Sequence, residues 1–161
     1  GGSDYNTSQY NRAISAKRQV GSTMKPFLYY MALESGFTSA SSFISEKTTF
    51  SFSNNKKYTP KNYNDKYANG PLSMGAAIAY SDNIYAVKTL QKIGFSKFKK
   101  ELKNVGLNFK DINLTSSLGS NSETLYNILT GLANFRAKRK GGCYCTLPCW
   151  EITRIYLIEY T

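Results

Sequence analysis

Apolar residues first fall into a helical rhythm at Met24, Phe27, Leu28, Met31 and Ala32. That spacing, with Pro26 in the first turn and Gly36 as a stop, predicts a helix over 22–35 with Ser22 at its N-terminus. The preceding twenty residues are polar and alternate only weakly; QYNRAISAKRQ is read as holding a strand. Residues 37–70 read as loop, with a hairpin in FSFSNNKKYTP (50–60) turning at Asn54-Asn55. A second helix is expected from Pro71 through LSMGAAIAY, its small residues suited to close packing. SDN (81–83) interrupts the pattern. NIYAVKTLQKIG (83–94) is a third helix with Ile84, Val87 and Leu90 on one face. FSKFKKELKNVG (95–106) is a fourth, with Phe95, Phe98 and Leu102 turned inward and lysines outward. Ser120-x-x-Glu123 reads as a capping box opening a fifth helix over 121–135. No internal repeat is visible.

The chain of 161 residues is long enough for one domain with a core. No apolar run approaches the ~18 residues needed to cross a bilayer. The start, GGSDYNTSQY, has neither an initiating Met nor a signal-peptide pattern, and reads as a point inside a longer chain. Composition changes near residue 136. The single Trp and all three cysteines, Cys143, Cys145 and Cys149, lie beyond it. Three thiols without a fourth ligand are a weak metal signal. The expected organisation is therefore 1–135 as one unit and 136–161 as a divergent tail.

Charge and residue types narrow the chemistry. With 21 Lys+Arg against 10 Asp+Glu the net charge is +11. An anionic partner such as nucleic acid is one reading; lysines spread over a solvated surface is the preferred one, since no nucleic-acid motif is present. The chain contains no histidine. That removes Ser-His-Asp and Cys-His catalysis, leaving lysine as the natural base for a nucleophile.

Three S-x-x-K spacings occur: Ser22/Lys25, Ser53/Lys56 and Ser96/Lys99. Only Ser22 follows a glycine and opens an apolar helix. Its helix end favours developing negative charge, and the i, i+3 spacing puts Lys25 on the same face. Burial or nearby positive charge would be needed to make Lys25 a base. The plain alternative is a capping serine with a solvated lysine behind it. Ser81-Asp82-Asn83 adds a hydroxyl able to relay a proton and an amide able to hold a peptide group. Taken alone, SDN is equally a polar link that caps the next helix.

Together with GGSDYNTSQYNRA, KRQVGSTMKPF, YTPKNYNDKY, GPLSMGAAIAYSDN and SETLYN, these motifs resemble the transpeptidase domain of penicillin-binding proteins, in particular the class A kind, over about residues 1–135. S-x-x-K, S-D-N and K-T-G are the signature of those enzymes and of the related β-lactamases. The resemblance implies an α/β fold, here mainly the helical part with much of the antiparallel sheet absent. It implies that Ser22 attacks a D-Ala-D-Ala stem peptide or a β-lactam and that Lys25 takes its proton. Ser81 would pass a proton to the leaving group, and Asn83 would hold the substrate amide. No metal or organic cofactor is implied. The partners would be peptidoglycan stem peptides and β-lactams. The parent protein would face the outside of a bacterial plasma membrane, anchored by a segment not in this chain.

The sequence departs from the family pattern in two respects. K-T-G has no counterpart: Lys47-Thr48-Thr49 precedes SDN and lacks the glycine, and Lys140-Gly141-Gly142 lacks the hydroxyl. The family's flanking strands also have no match, and the tail from 136 reads as a shifted reading frame, with a natural variant terminus as the alternative. Losing one oxyanion donor of the K-T-G strand would cost ~10²–10³ in rate, so an inactive fragment is the alternative reading. A serine β-lactamase is a second alternative, with Glu123 as the group that activates water. The bland reading of Glu123, a cap residue before Leu125, Ile128, Leu129 and Leu132, is preferred.

Overall fold

The computed structural model describes residue 4, residues 6–51 and residues 57–139. The Asn54-Asn55 turn and the Cys-bearing segment from 140 lie outside the described residues. The described residues fall into two compact units, one drawn from 19–51, 57–101 and 109–122 and the other from 4, 6–18, 102–108 and 123–139.

The first of these is built around two helices. Helix α2 (Lys25–Glu34) packs on α4 (Asn83–Ile93). Phe27, Leu28 and Met31 of α2 and Ile84, Val87 and Leu90 of α4 are all essentially inaccessible to water. Burying each such side chain contributes about 1.5–3 kcal/mol, which is why the helical rhythm of the sequence is the feature that survives folding. A 3-10 segment, Leu114–Leu118, lies against α4 and carries Leu114 into a cluster with Phe50, Ile84 and Val87.

Strand β2 (Ser42–Ser45) pairs antiparallel with β5 (Gly70–Ser73), with Phe43 opposite Leu72. Phe43 stacks at a tilt on Tyr85, centroids 5.0 Å apart. The Tyr85 hydroxyl donates to the Ser41 carbonyl at 2.7 Å. Strands β3 (Phe50–Ser51) and β4 (Lys57–Tyr58) form the arms of the expected hairpin. Strand β1 (Arg18–Gln19) pairs with β6 (Ser122–Glu123), and the Val20 N–H donates to the Asn121 carbonyl at 3.0 Å. Among the described residues the strands form only these three two-stranded pairings. The fold is accordingly mixed α/β and rich in helix.

Helix α3 (Met74–Ala79) is shorter than expected, because Pro71 to Ser73 belong to β5. Ser73 caps it through Ala76 N–H at 3.3 Å. Helix α5 (Phe95–Asn104) buries Phe98 and Leu102 as expected, whereas Phe95, expected inward, is its first residue and is exposed.

In the other unit, residues 12–15 form a short helix, α1 (Arg12–Ser15), where a strand was expected. Asn11 accounts for it: its Oδ1 accepts from Ala13 N–H at 3.0 Å, so the cap starts a helical turn. Helix α6 (Leu125–Arg139) packs on α1. The predicted capping box is not what opens it. Thr124 Oγ1 accepts from Asn127 N–H at 3.2 Å, and Glu123 accepts from Asn127 Nδ2 at 2.9 Å. Ser120 instead shares a hydrogen bond with Thr115.

Candidate active site

Ser22 does not sit on an α-helix as the sequence suggested. Residues 21–24 form a tighter 3-10 turn that feeds into α2 at Lys25. No side-chain cap bond closes that turn, so Ser22 is not a capping serine. The turn is fixed from the outside. Gly21 has φ +61°, and its N–H donates to the Gly119 carbonyl at 2.9 Å. Gly119, at φ +70°, approaches so closely that a β-carbon there would lie 2.0 Å from the Gly21 carbonyl oxygen. Only glycine at 119 lets the two backbones meet.

Lys25 is the first residue of α2 and is buried, with 4% of its surface exposed. Its Nζ donates to three oxygens: the Ser81 carbonyl at 2.5 Å, Ser81 Oγ at 2.9 Å and Asn83 Oδ1 at 2.7 Å. Burial lowers its pKa to about 8, while the Asp82 charge pulls the other way. A lysine tuned to that range is available as a base near neutral pH.

Ser81 lies in the sharp link between α3 and α4. Its φ of +53° is in the left-handed region, which costs roughly 1–2 kcal/mol for a residue with a β-carbon. That conformation is what turns both its carbonyl and its hydroxyl to Lys25. Ser81 Oγ also donates to Ser22 Oγ at 3.4 Å. The four residues singled out from the sequence, Ser22, Lys25, Ser81 and Asn83, are thus brought into one connected group.

A cleft of about 540 Å³ opens at Ser22, Ser81 and Asn83, with Lys61 and Asn62 on its wall. Tyr63 and Tyr80 line it and are largely exposed to solvent. Residues 2–131 match the family model described as the penicillin binding protein transpeptidase domain. The chain belongs to that family. It is 47% identical over 108 residues to penicillin-binding protein 2D of Bacillus subtilis, covering 66% of this chain and 16% of that protein. It is 35% identical over 136 residues to penicillin-binding protein 1A of Escherichia coli, covering 83% of this chain and 16% of that protein. Among solved structures, penicillin-binding protein 1A of Haemophilus influenzae superposes with a TM-score of 0.75 at 32% identity, covering 82% of this chain and 20% of that one. The chain therefore spans about a sixth of the length of the curated relatives it matches.

In this transpeptidase domain, three residues join the site that sequence reasoning did not single out. Asn62 accepts from Asn83 N–H at 2.7 Å, and the Lys61 carbonyl accepts from Asn83 Nδ2 at 2.6 Å. Asp82 is buried and caps α4 through Tyr85 N–H at 2.7 Å. The signal was present in part: YTPKNYNDKY carried the resemblance, and Asp82 is the middle of SDN. Of the other S-x-x-K pairs, Ser53 and Lys56 lie outside the described residues. Lys99 donates to the Lys110 carbonyl, away from any nucleophile pattern. The carboxylate of Glu123 accepts from Thr124 N–H and Asn127 Nδ2 rather than closing a capping box with Ser120, and of the apolar positions expected after it Ile128 is buried while Leu125 and Leu129 are exposed.

Proposed function

We propose that the chain carries the acylation chemistry of a serine D,D-transpeptidase, with Ser22 as nucleophile and Lys25 as base. The observation that carries the reading is the set of three acceptors around Lys25 Nζ. A charged ammonium has three donors, and each is used. When Lys25 is neutral its lone pair must face an oxygen that can donate in return. The Ser81 carbonyl and Asn83 Oδ1 cannot donate; the Ser81 hydroxyl can. Neutral Lys25 therefore draws a proton from Ser81, and Ser81 draws one from Ser22.

The step balances. Ser22 Oγ attacks the carbonyl carbon of the penultimate D-Ala of a stem peptide. Its proton passes to Ser81 Oγ as the Ser81 proton passes to Lys25 Nζ. The tetrahedral intermediate collapses, the C–N bond breaks, and the leaving D-Ala nitrogen takes the Ser81 hydroxyl proton as Lys25 Nζ returns one to Ser81. An amine of a second stem peptide then attacks the ester carbonyl, its N–H proton passes through Ser81 and Lys25 to Ser22 Oγ as the C–O bond breaks, and a cross-link is left. With a β-lactam the ring C–N bond opens and nothing departs. Asn83 Nδ2 carries two N–H groups; one goes to Lys61, and the second is assigned to the substrate amide.

No described helix is long and apolar enough to cross a membrane. The proposed setting is the outer face of a bacterial plasma membrane, where peptidoglycan is cross-linked. The test is release of D-Ala from a synthetic stem peptide ending in D-Ala-D-Ala, with a simple amine acceptor present. Release that disappears in Ser22→Ala and in Lys25→Met supports the reading. Release unchanged in either variant overturns it.

A further inference from the structure

The Ser22–Lys25–Ser81–Asn83 group does not hold itself in place. Asn83 is anchored from behind by a chain of hydrogen bonds that never touches the cleft's reacting atoms. Asn62 Oδ1 accepts the Asn83 N–H at 2.7 Å, and Asn62 Nδ2 donates to Asp82 Oδ2 at 2.6 Å. Asp82 Oδ2 also accepts from Ser45 Oγ at 2.5 Å, and its Oδ1 from Tyr85 N–H at 2.7 Å. A carboxylate can only accept, so it fixes which end of the Asn62 amide is nitrogen. The other end must then be the oxygen that faces Asn83.

We propose that Asn62 and Asp82 are positioning residues for Lys25. Asp82 orients the Asn62 amide, Asn62 clamps the first turn of α4, and Asn83 Oδ1 is thereby held at Lys25 Nζ. The inference rests on the reading of Lys25 as the base. Ser45 ties the same chain to β2, so a strand, a loop and a helix converge on one lysine.

The charged and titratable groups around Lys25 are few. Tyr29, one turn along α2, and Tyr85 on α4 are pushed up by burial and stay protonated. Lys61 lines the cleft and pairs with Asp65 at 3.4 Å on the exposed side. The 3-10 segment Leu114–Leu118 carries no ionisable side chain. Asp82 is thus the charge that most directly opposes the effect of burial on Lys25.

The test uses the full chain with Asn62→Ala, Asn62→Asp, Asp82→Asn and the double variant N62D/D82N. Three quantities are read: the Lys25 titration by NMR on carbon-13-labelled lysine, the rate of acylation by a penicillin against pH, and the melting temperature. Asn62→Ala should lower acylation by roughly 10–100-fold, since a misplacement of about 1 Å at a reacting group can cost ~10² in rate. Asp82→Asn keeps an oxygen for Tyr85 N–H but removes the charge, so the Lys25 midpoint should move to lower pH. The double variant exchanges amide and carboxylate, and should recover acylation relative to both single changes. Rates that fall only as far as the unfolded fraction in the melts, an unmoved Lys25 midpoint in Asp82→Asn, or a swap no better than its parts would overturn the proposal. Should Asp82→Asn fail to fold, Asn62→Ala decides, because residue 62 lies outside every helix and strand. If the unaltered chain is not acylated, the proposed function fails on its own; the Lys25 midpoint and its shift then still decide the positioning role.

Discussion

Gly119→Ala tests how the turn that carries Ser22 is held. A β-carbon at 119 would lie 2.0 Å from the Gly21 oxygen, 2.4 Å from its nitrogen and 2.7 Å from its carbonyl carbon. All three are backbone atoms, so no side chain can swing aside. Holding an L-residue at φ +70° costs roughly 1–2 kcal/mol, and forcing an extra carbon into a packed site about 1–3 kcal/mol more. The sum, about 2–5 kcal/mol, corresponds to a fall in Tm of roughly 4–20 °C at ~2–4 °C per kcal/mol. Relief requires Gly21 to retreat, and Ser22 moves with it. A shift of about 1 Å at a reacting group can cost ~10² in rate. The assay is thermal melting by circular dichroism, paired with penicillin acylation measured well below the melt. Gly75→Ala is the control: its β-carbon would meet only the Ser39 carbonyl at 3.8 Å, and it lies in α3, where Ala is favoured over Gly by ~0.5–1 kcal/mol. Gly119→Ala with unaltered Tm and unaltered acylation would refute the reasoning.

Three further outcomes are expected. The acylation rate should rise with pH through about 8 as Lys25 loses its proton, and Lys25→Arg, which cannot deprotonate in this range, should be slow and flat across a pH series. Leu28→Ala removes a fully buried side chain from α2 and should cost about 2–5 kcal/mol in denaturant unfolding. Thr124→Ala should cost about 1 kcal/mol and speed amide exchange in the first turn of α6, because Thr124 and not Ser120 caps that helix.

The parts of the fold that were legible in the sequence are those set by burial along one element. Helices α4 and α5 show their apolar faces in the spacing of Ile84, Val87 and Leu90 and of Phe98 and Leu102. Short elements fixed by a single contact were not legible. SFIS (42–45) has no alternation of its own and becomes β2 only by pairing with Gly70–Ser73. NRAIS looks as much like a strand as a helix until Asn11 bonds Ala13. Ser120-x-x-Glu123 satisfied a capping pattern that Thr124 fulfils in its place.

The same division holds at the site. That Ser22, Lys25, Ser81 and Asn83 would come together was readable from the S-x-x-K and S-D-N patterns and their order. The 3-10 turn under Ser22 and the left-handed backbone at Ser81 were not, since both are imposed by neighbours distant in sequence. The Ser45–Asp82–Asn62–Asn83 chain joins residues from a strand, a loop and a helix end, and no local pattern announces it. The lowered pKa of Lys25 was posed as a requirement by the sequence and follows from its burial in the fold.

The central claim is that Ser22 is a nucleophile served by Lys25, in a chain whose sequence holds no K-T-G. Intact-mass spectrometry after incubation with a fluorescent penicillin tests it most directly. The account predicts one covalent adduct per chain, absent in Ser22→Ala. A folded chain that takes up no adduct, or an adduct that persists in Ser22→Ala, would contradict it.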